Sequence, residues 1–220
     1  LRRIHEEAPS LLRIGFVTSH PNHVDRELGR AIAELPRVSR YLHLPVQAGS
    51  DRVLRDMNRG YTVDEYRRAV DAVREQVPDL ALATDWIVGF PSESEDDFAA
   101  SVALMREMDY HSSFVFKYSP RSGTRAEGLG DPIPREVKAE RNQVLLELQK
   151  EISLRHKRDL IGTVQEVIVE GLSKRDAQRL SGRTDHNDIV CFPAGRELTG
   201  RRVAVRIDDC TPLTLLGELL

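Results

Sequence analysis

Cysteine is scarce in this chain, with Cys191 and Cys210 the only two among 220 residues. They lie far apart and in no metal-ligand spacing, which argues against a disulfide framework and for a reducing compartment. Long apolar runs are missing too: no segment reads as a transmembrane helix or a signal peptide, so no membrane role is expected and the expected location is cytoplasmic. Neither sign of charge dominates. The 32 basic and 35 acidic residues leave a net −3, so any nucleic-acid contact has to come from a local patch. What is present, 40% hydrophobic and 30% charged residues, suits a globular protein with a sizeable core. The chain opens on Leu1, and Leu1 to Pro9 reads as the tail of a helix, so the natural chain is expected to begin earlier.

The first half alternates strand and helix. Apolar runs at Leu11 to Val17, Tyr41 to Leu44, Leu80 to Phe90 and Ser113 to Tyr118 read as strands, and the third, apolar on both faces, as a covered one. Helices are expected at about Val24 to Leu35, Ser50 to Asn58, Thr62 to Val77 and Glu95 to Met108. Two of them open on capping boxes, Thr62 with Glu65 and Ser94 with Asp97. Strand and helix alternating with short connections predict a parallel sheet, either open or part of a larger barrel.

Gly128 to Pro134 reads as a linker, followed by a long helix ending near Ile161 with Gly162 as its cap. Val137, Val144, Leu145, Leu148, Ile152 and Leu154 supply its expected buried side. Lys150, Arg155, His156, Lys157 and Arg158 crowd its last turns, where they oppose the helix dipole or contact RNA. From Thr163 five short strands in under sixty residues predict a small antiparallel β-barrel. The fold expected is therefore α/β: residues 1–127 with parallel strands, 128–162 as linker and connecting helix, and 163–220 as the barrel. The barrel's best basic patch is Lys174, Arg175, Arg179 and Arg183.

Ligands of parallel α/β folds sit beyond the carboxyl ends of the strands, which singles out His43 to Tyr61. Gln47 could hydrogen-bond a polyol or be a turn amide, while Ser50 suits a helix cap at least as well as a ligand. Arg59 could clamp a carboxylate or simply end a helix in solvent. Asp85 is a costly carboxylate in an apolar strand unless something engages it. Gly89 shapes a turn that lets backbone approach a flat ligand. His20, His23, His43 and His111 have no zinc spacing and read as structural or solvated.

An ordered series of motifs carries a resemblance. His-Leu-Pro-Val-Gln-Ala-Gly-Ser-Asp (43–51) with Leu54, Met57, Arg59 and Thr62 is similar to a motif of the radical S-adenosylmethionine (SAM) methylthiotransferases. So are Thr18-Ser-His-Pro21, Asp85-Trp-Ile-Val-Gly-Phe-Pro-Ser-Glu-Ser94 and Phe116-Lys-Tyr-Ser-Pro-Arg-Ser-Gly-Thr124. Val169-Glu-Gly-Leu-Ser-Lys174 and Gly182-Arg-Thr-x-x-Asn187 resemble the tRNA-modifying, MiaB-type branch more than the ribosomal-protein branch.

That resemblance implies a partial radical-SAM (β/α) barrel followed by a TRAM domain, an OB-like RNA-binding barrel. It implies that the full-length protein is a transferase adding a methylthio group to C2 of N6-isopentenyladenosine next to the anticodon of tRNA. One SAM is cleaved to a 5′-deoxyadenosyl radical and another methylates the inserted sulfur. By position, Gln47 and Asp85 resemble ribose or adenine contacts, Arg59 a partner of the SAM carboxylate and Gly89 an adenine-backing turn, with Arg121 in a further matching motif and Ser50 kept beside them as a candidate cofactor contact. The implied cofactors are SAM and two [4Fe-4S] clusters, the implied partner is the tRNA anticodon stem-loop, and a monomer is expected.

Two departures stand out. Ser92 replaces a family glycine, and the cluster-binding Cys-x-x-x-Cys-x-x-Cys is absent. The chain alone is accordingly expected to be inactive. The rival readings are the same chemistry on a ribosomal-protein aspartate, a non-catalytic RNA-binding module, and a radical-SAM oxidase of a small molecule.

Overall fold

A computed structural model describes residues 1–17 and 20–220; the Thr18-Ser19 part of the first turn motif lies outside the described residues. Helices α1 (Arg2–Glu7) and α2 (Arg26–Glu34) precede strand β1 (Tyr41–His43). Then come α3 (Asp51–Asp56), α4 (Val63–Arg74), β2 (Ala81–Val88), α5 (Glu95–Met108) and β3 (Ser112–Lys117). The strands form a parallel sheet in the order β1-β2-β3. Both capping boxes are formed, with Thr62 and Ser94 each accepting from, and receiving a carboxylate from, the third helical residue. Trp86, Tyr66, Leu54 and Met105 are among the residues buried where the helices meet the sheet.

The expected strand at Leu11 to Val17 is reduced to one bridge, Ile14 to Val38. Its neighbours are claimed elsewhere. The Leu12 carbonyl accepts from Arg202 at 2.7 Å, and Arg13 donates to the Arg183 carbonyl at 2.6 Å. The Arg202 side chain thus satisfies a carbonyl that a ladder could have used, while the Arg13 side chain reaches the barrel backbone, and three strands, not four, make the described sheet.

Helix α6 (Arg135–Arg158) starts one residue after Pro134, which is its N-cap, and stops before the expected Ile161. Gly162 instead donates to the Ile207 carbonyl at 2.7 Å, entering the barrel. The buried face of α6 also differs from expectation: Leu145, Leu148 and Ile152 are inside, but so are Lys138, Arg141, Gln149, Ser153 and Lys157, while Val144 is exposed. A polar residue at a helical interval conceals a buried stripe from a reading of apolar spacing.

Strands β4 (Val164–Leu172), β5 (Arg179–Arg183), β6 (Ile189–Pro193), β7 (Arg202–Cys210) and β8 (Thr214–Leu219) close a barrel in the order β4-β5-β6-β8-β7. It is not wholly antiparallel as expected, because β6 and β8 pair in parallel. The chain crosses over β7 between them, and closure of five strands brings the two ends together in one direction. Val167, Leu180, Val190, Phe192, Val205 and Leu215 fill its interior.

The barrel docks on the sheet half through a buried carboxylate. Asp188 lies 2.9 Å from both Lys157 Nζ and His111 Nε2. Ser39 Oγ donates to the Asp185 carbonyl at 2.5 Å, and His186 lies 3.3 Å from Asp79. Burial opposes charge on Asp188, but the hydrogen bonds and charges of His111 and Lys157 outweigh it and bring its pKa down to about 2. Its folded pKa is below the ordinary unfolded value of about 3.9, so its stabilisation is complete above about pH 4 and is lost as pH falls toward 2. Asp188→Ala strands Lys157 and is expected to cost about 3–5 kcal/mol. Urea unfolding at pH 7 and pH 3 checks this, with the gap between variant and wild type shrinking at the lower pH.

Candidate functional site

The loop after β1 is held by buried polar groups. Thr84 Oγ1 donates to the Leu44 carbonyl and accepts from Val46 N–H, each at 2.9 Å, and Tyr66 Oη donates to the same carbonyl at 2.9 Å. Tyr110 Oη donates to Tyr66 Oη at 3.1 Å, and Tyr61 Oη reaches the Val46 carbonyl at 3.1 Å. Burial pushes the Tyr61 hydroxyl up to about 12, so it remains a neutral donor. Gly49 completes the anchoring: a Cβ there would lie 2.5 Å from Ser101 Cα, and its N–H donates to Ser101 Oγ at 2.8 Å.

This anchored loop ends at Gln47, whose φ of 73° is left-handed. For a non-glycine residue that conformation costs about 1–2 kcal/mol and persists where the surroundings fix it. The backbone of Gln47 bonds on both sides to β2, accepting from Ile87 N–H and donating to the Asp85 carbonyl, both at 2.9 Å. Its bridge partner Trp86 faces the core, yet Gln47 lines a cleft of about 1040 Å³ beyond the strand ends. Its side-chain amide has no hydrogen bond among the described residues.

Gln47, Arg59, Asp85 and Arg121 line that cleft together, with Ile87, Phe90, Ser92, Phe116, Lys117 and Tyr118. Asp85, part of an apolar strand, is engaged by His43 Nε2 at 3.0 Å, and the residue is half-buried rather than sealed. The face of β2 bearing Asp85 and Ile87 is therefore the cleft wall, not the covered face expected. Arg59 has no ion pair among the described residues, and its Nε is buried without a partner. That leaves a guanidinium fork available for an anionic ligand.

Ser50 lies outside the cleft lining. Its hydroxyl caps α3 and donates to Asp97 Oδ1 at 2.5 Å. Burial opposes the Asp97 charge, but Ser50, Ser94 and Arg52 together hold its carboxyl well below the usual range. Gly89 is also outside the lining: its φ is 73°, and a Cβ there would overlap the Lys138 side chain. Ser92 stands where a glycine was expected without left-handed backbone.

The sheet-facing side of α6, concealed in the sequence, supports the turn behind the cleft. Glu93 Oε2 accepts from Gly89 N–H and from Arg141 Nη1, each at 2.7 Å. Arg141 also pairs with Glu95 and lies over the Phe98 ring, 5.4 Å from its centroid. Lys138 donates to the Tyr118 carbonyl at 3.3 Å and pairs with Asp131. The Gly-Phe-Pro-Ser-Glu spacing signalled a turn, but only the fold brings Arg141 and Lys138 to it.

In the barrel, Lys174 and Arg175 are exposed and have no ion pair among the described residues. Arg179 and Arg183 are engaged, Arg179 by Asp176 and Arg183 by Glu170, each at 3.3 Å. No helix among the described residues is long and apolar enough to cross a membrane, and no group of three His, Cys, Asp or Glu residues there could hold a metal ion.

A cleft at the carboxyl ends of parallel strands, joined to a five-stranded barrel, makes a two-part arrangement. The family comparisons agree: residues 1–105 match the Radical SAM superfamily and residues 158–220 match the TRAM domain. The chain thus carries a radical SAM segment and a TRAM domain. Coproporphyrinogen III oxidase (HemN) from Escherichia coli, a radical SAM enzyme, superposes with a TM-score of 0.53 at 12% identity, over 79% of this chain and 46% of that one.

Along nearly its whole length the chain is homologous to curated tRNA-2-methylthio-N(6)-dimethylallyladenosine synthases. That of Burkholderia vietnamiensis is 46% identical over 97% of this chain and 48% of its own length. That of Burkholderia cenocepacia J2315 is 44% identical over the same shares. The chain therefore spans about half the length of the curated relatives it matches.

Gly89→Ala is expected to destabilise by about 1–3 kcal/mol, from left-handed backbone and overlap with Lys138. Gln47→Gly relieves strain and is expected to leave stability equal or raise it by up to about 1 kcal/mol. Urea unfolding of both variants checks the contrast; a loss of stability in Gln47→Gly contradicts it.

Proposed function

We propose that this chain is part of a cytoplasmic, monomeric methylthiotransferase that adds a methylthio group to C2 of N6-isopentenyladenosine beside the anticodon of tRNA. The likeness to named synthases over 97% of the chain carries the reading. The units are residues 1–127 for the cleft, 128–162 for the connecting helix and 163–220 for the RNA-binding barrel. The tRNA anticodon stem-loop is the partner.

The cleft fits SAM. Arg59, whose Nε is buried without a partner among the described residues, takes its carboxylate. Gln47 and Asp85, held on the strand ends, take ribose or adenine groups, and Arg121 closes the far side. Gly89 shapes the supporting turn, and Ser50 acts by fixing the start of α3. When bound, SAM supplies the methyl group and the reactive adenosyl group. The protein's own part is to orient it and to keep its carboxylate fixed.

The residues present do not fit a [4Fe-4S] cluster. Two cysteines cannot supply three thiolates, Cys191 is buried in a barrel strand, and Cys210 ends another. The two clusters of the proposed whole enzyme would need ligands from outside these residues.

Equilibrium dialysis against labelled SAM tests the cleft. Arg59→Ala is expected to weaken binding about 10- to 100-fold, since a charge-assisted hydrogen bond contributes about 1.5–3 kcal/mol, with Arg59→Lys in between. Unchanged affinity in Arg59→Ala refutes the clamp. The chain by itself is expected to leave no methylthio nucleoside in digests of incubated tRNA, as read by mass spectrometry.

A further inference from the structure

Arg141 carries its charge into the interior at a place where stability does not call for one. Arg141 and its partner Glu93 are each 5% exposed. Two charges are costly to take out of water, and well-packed apolar side chains of similar volume often hold a fold as firmly. What an ion pair adds at such a place is direction, because its hydrogen bonds fix where each group sits.

Here the direction is toward the turn that follows β2. Arg141 Nη1 donates to Glu93 Oε2 at 2.7 Å and to the Glu93 carbonyl at 3.3 Å. Its other nitrogen Nη2 donates to Glu95 and its plane lies over Phe98, so the fork is oriented from several sides. Glu93 passes the hold on: its Oε2 accepts from Gly89 N–H at 2.7 Å and its own N–H donates to the Phe90 carbonyl at 2.8 Å. Gly89 has left-handed backbone and no side chain to anchor, so the turn is fixed through its amide from outside.

Lys138, one helical turn earlier on α6, closes the other side. Its stem fills the space a Gly89 Cβ would need, and its Nζ donates to the Tyr118 carbonyl at 3.3 Å. Tyr118 N–H donates to the Val88 carbonyl at 2.9 Å, and the Tyr118 ring meets Phe90 edge-on at 5.1 Å. Two side chains of one helix face thus set the chain beyond both β2 and β3.

Phe90 and Ser92 of this turn line the cleft, and neither carries a charge. A wall of ring and backbone polar groups suits the base end of a nucleoside, as a guanidinium suits a carboxylate. We propose that Arg141 is a positioning residue for the adenosine part of the cofactor, holding the 89–93 turn in place through Glu93 without touching the ligand. This assignment rests on the SAM reading of the cleft, and it separates the two ends of SAM: Arg141 acts on the adenosine, Arg59 on the carboxylate.

The test uses the whole chain and two ligands, labelled SAM and 5′-methylthioadenosine, which has the adenosine part and no carboxylate. Arg141→Met/Glu93→Leu replaces the ion pair by apolar side chains and is expected to unfold at the urea concentration of the wild type. It is expected to bind both ligands about tenfold more weakly and to exchange the Gly89 amide hydrogen at least about tenfold faster. Arg59→Ala is expected to weaken SAM alone. Arg141→Lys keeps the charge but has no planar fork to span Glu93 and Glu95, and is expected to fall between wild type and the paired variant for both ligands.

Unchanged affinities in a stably folded paired variant make the ion pair structural only; they overturn the proposal and leave the SAM reading standing. A loss confined to SAM places the turn away from the adenosine and does the same. If the paired variant does not fold, Arg141→Lys decides: a loss shared by both ligands upholds the proposal, and unchanged affinities overturn it. Loss of both ligands in the paired variant with no effect of Arg59→Ala upholds the role of Arg141 and removes the carboxylate clamp. A wild-type chain that binds neither ligand overturns both readings.

Discussion

A helix face that buries Lys138, Arg141, Gln149, Ser153 and Lys157 persists only if those groups find partners, because an unpaired polar group in the interior costs several kcal/mol. On α6 the partners are distributed along the molecule. Lys138 and Arg141, near its start, hold the Tyr118 carbonyl and the Glu93 turn. Gln149, at mid-length, donates to the Tyr110 carbonyl at 2.8 Å, accepts from Ser113 Oγ at 2.8 Å and donates to Ser153 Oγ at 2.9 Å. Lys157, at its end, meets Asp188 of the barrel. One helix thereby fixes the cleft turn, the edge strand and the barrel to a common frame. Apolar contacts alone would allow that helix to slide or rotate, whereas these directional bonds specify one register.

The cleft depends on a second set of buried polar groups with the opposite purpose. Thr84, Tyr66 and Tyr61 satisfy the carbonyls of residues 44–46, and this lets the next residue be strained. Gln47 adopts left-handed backbone while its N–H and carbonyl remain bonded to β2. Strain at a site is maintained when the neighbouring structure overdetermines it, and here three loop residues, 44–46, are tied before the strain begins. Among the described residues the side-chain amide is left without a partner, as is the Arg59 Nε, so the groups the cleft offers are those the described fold leaves unused.

Local chemistry was legible in the sequence. Both capping boxes, the Ser50 cap and all five barrel strands begin within about a residue or two of where turn residues and alternation placed them. Those signals act over three or four residues. What was not legible depends on partners distant in the chain. Leu11 to Val17 has strand composition, but the Leu12 carbonyl is taken by Arg202, which lies far off in sequence, and the Arg13 side chain is drawn to the Arg183 carbonyl of the barrel. Lys157 read as one of several surface cations, because its counter-charge Asp188 comes from another domain. The site was half legible: strand-end position drew attention to Gln47, Arg59 and Asp85, but Lys138 and Arg141, which brace it, carry no local mark.

The rigid link between cleft and barrel bears on how an RNA partner can be recognised. The chain is slightly acidic overall, so long-range attraction supplies little affinity and binding must be assembled from separate local contacts. Cations without an ion pair among the described residues include Arg59, Lys117 and Arg121 at the cleft and Lys174 and Arg175 on the barrel loop. Each group alone is too small to hold a phosphate backbone tightly. Joined by a 24-residue helix, about 36 Å long at 1.5 Å per residue, they act with a high effective concentration only on an RNA whose shape matches their spacing. On the proposed tRNA reading, Asp188 and Lys157, which tie barrel to helix, would contribute to specificity without touching RNA, because a loosened barrel would keep every cation and lose the shape that makes them additive.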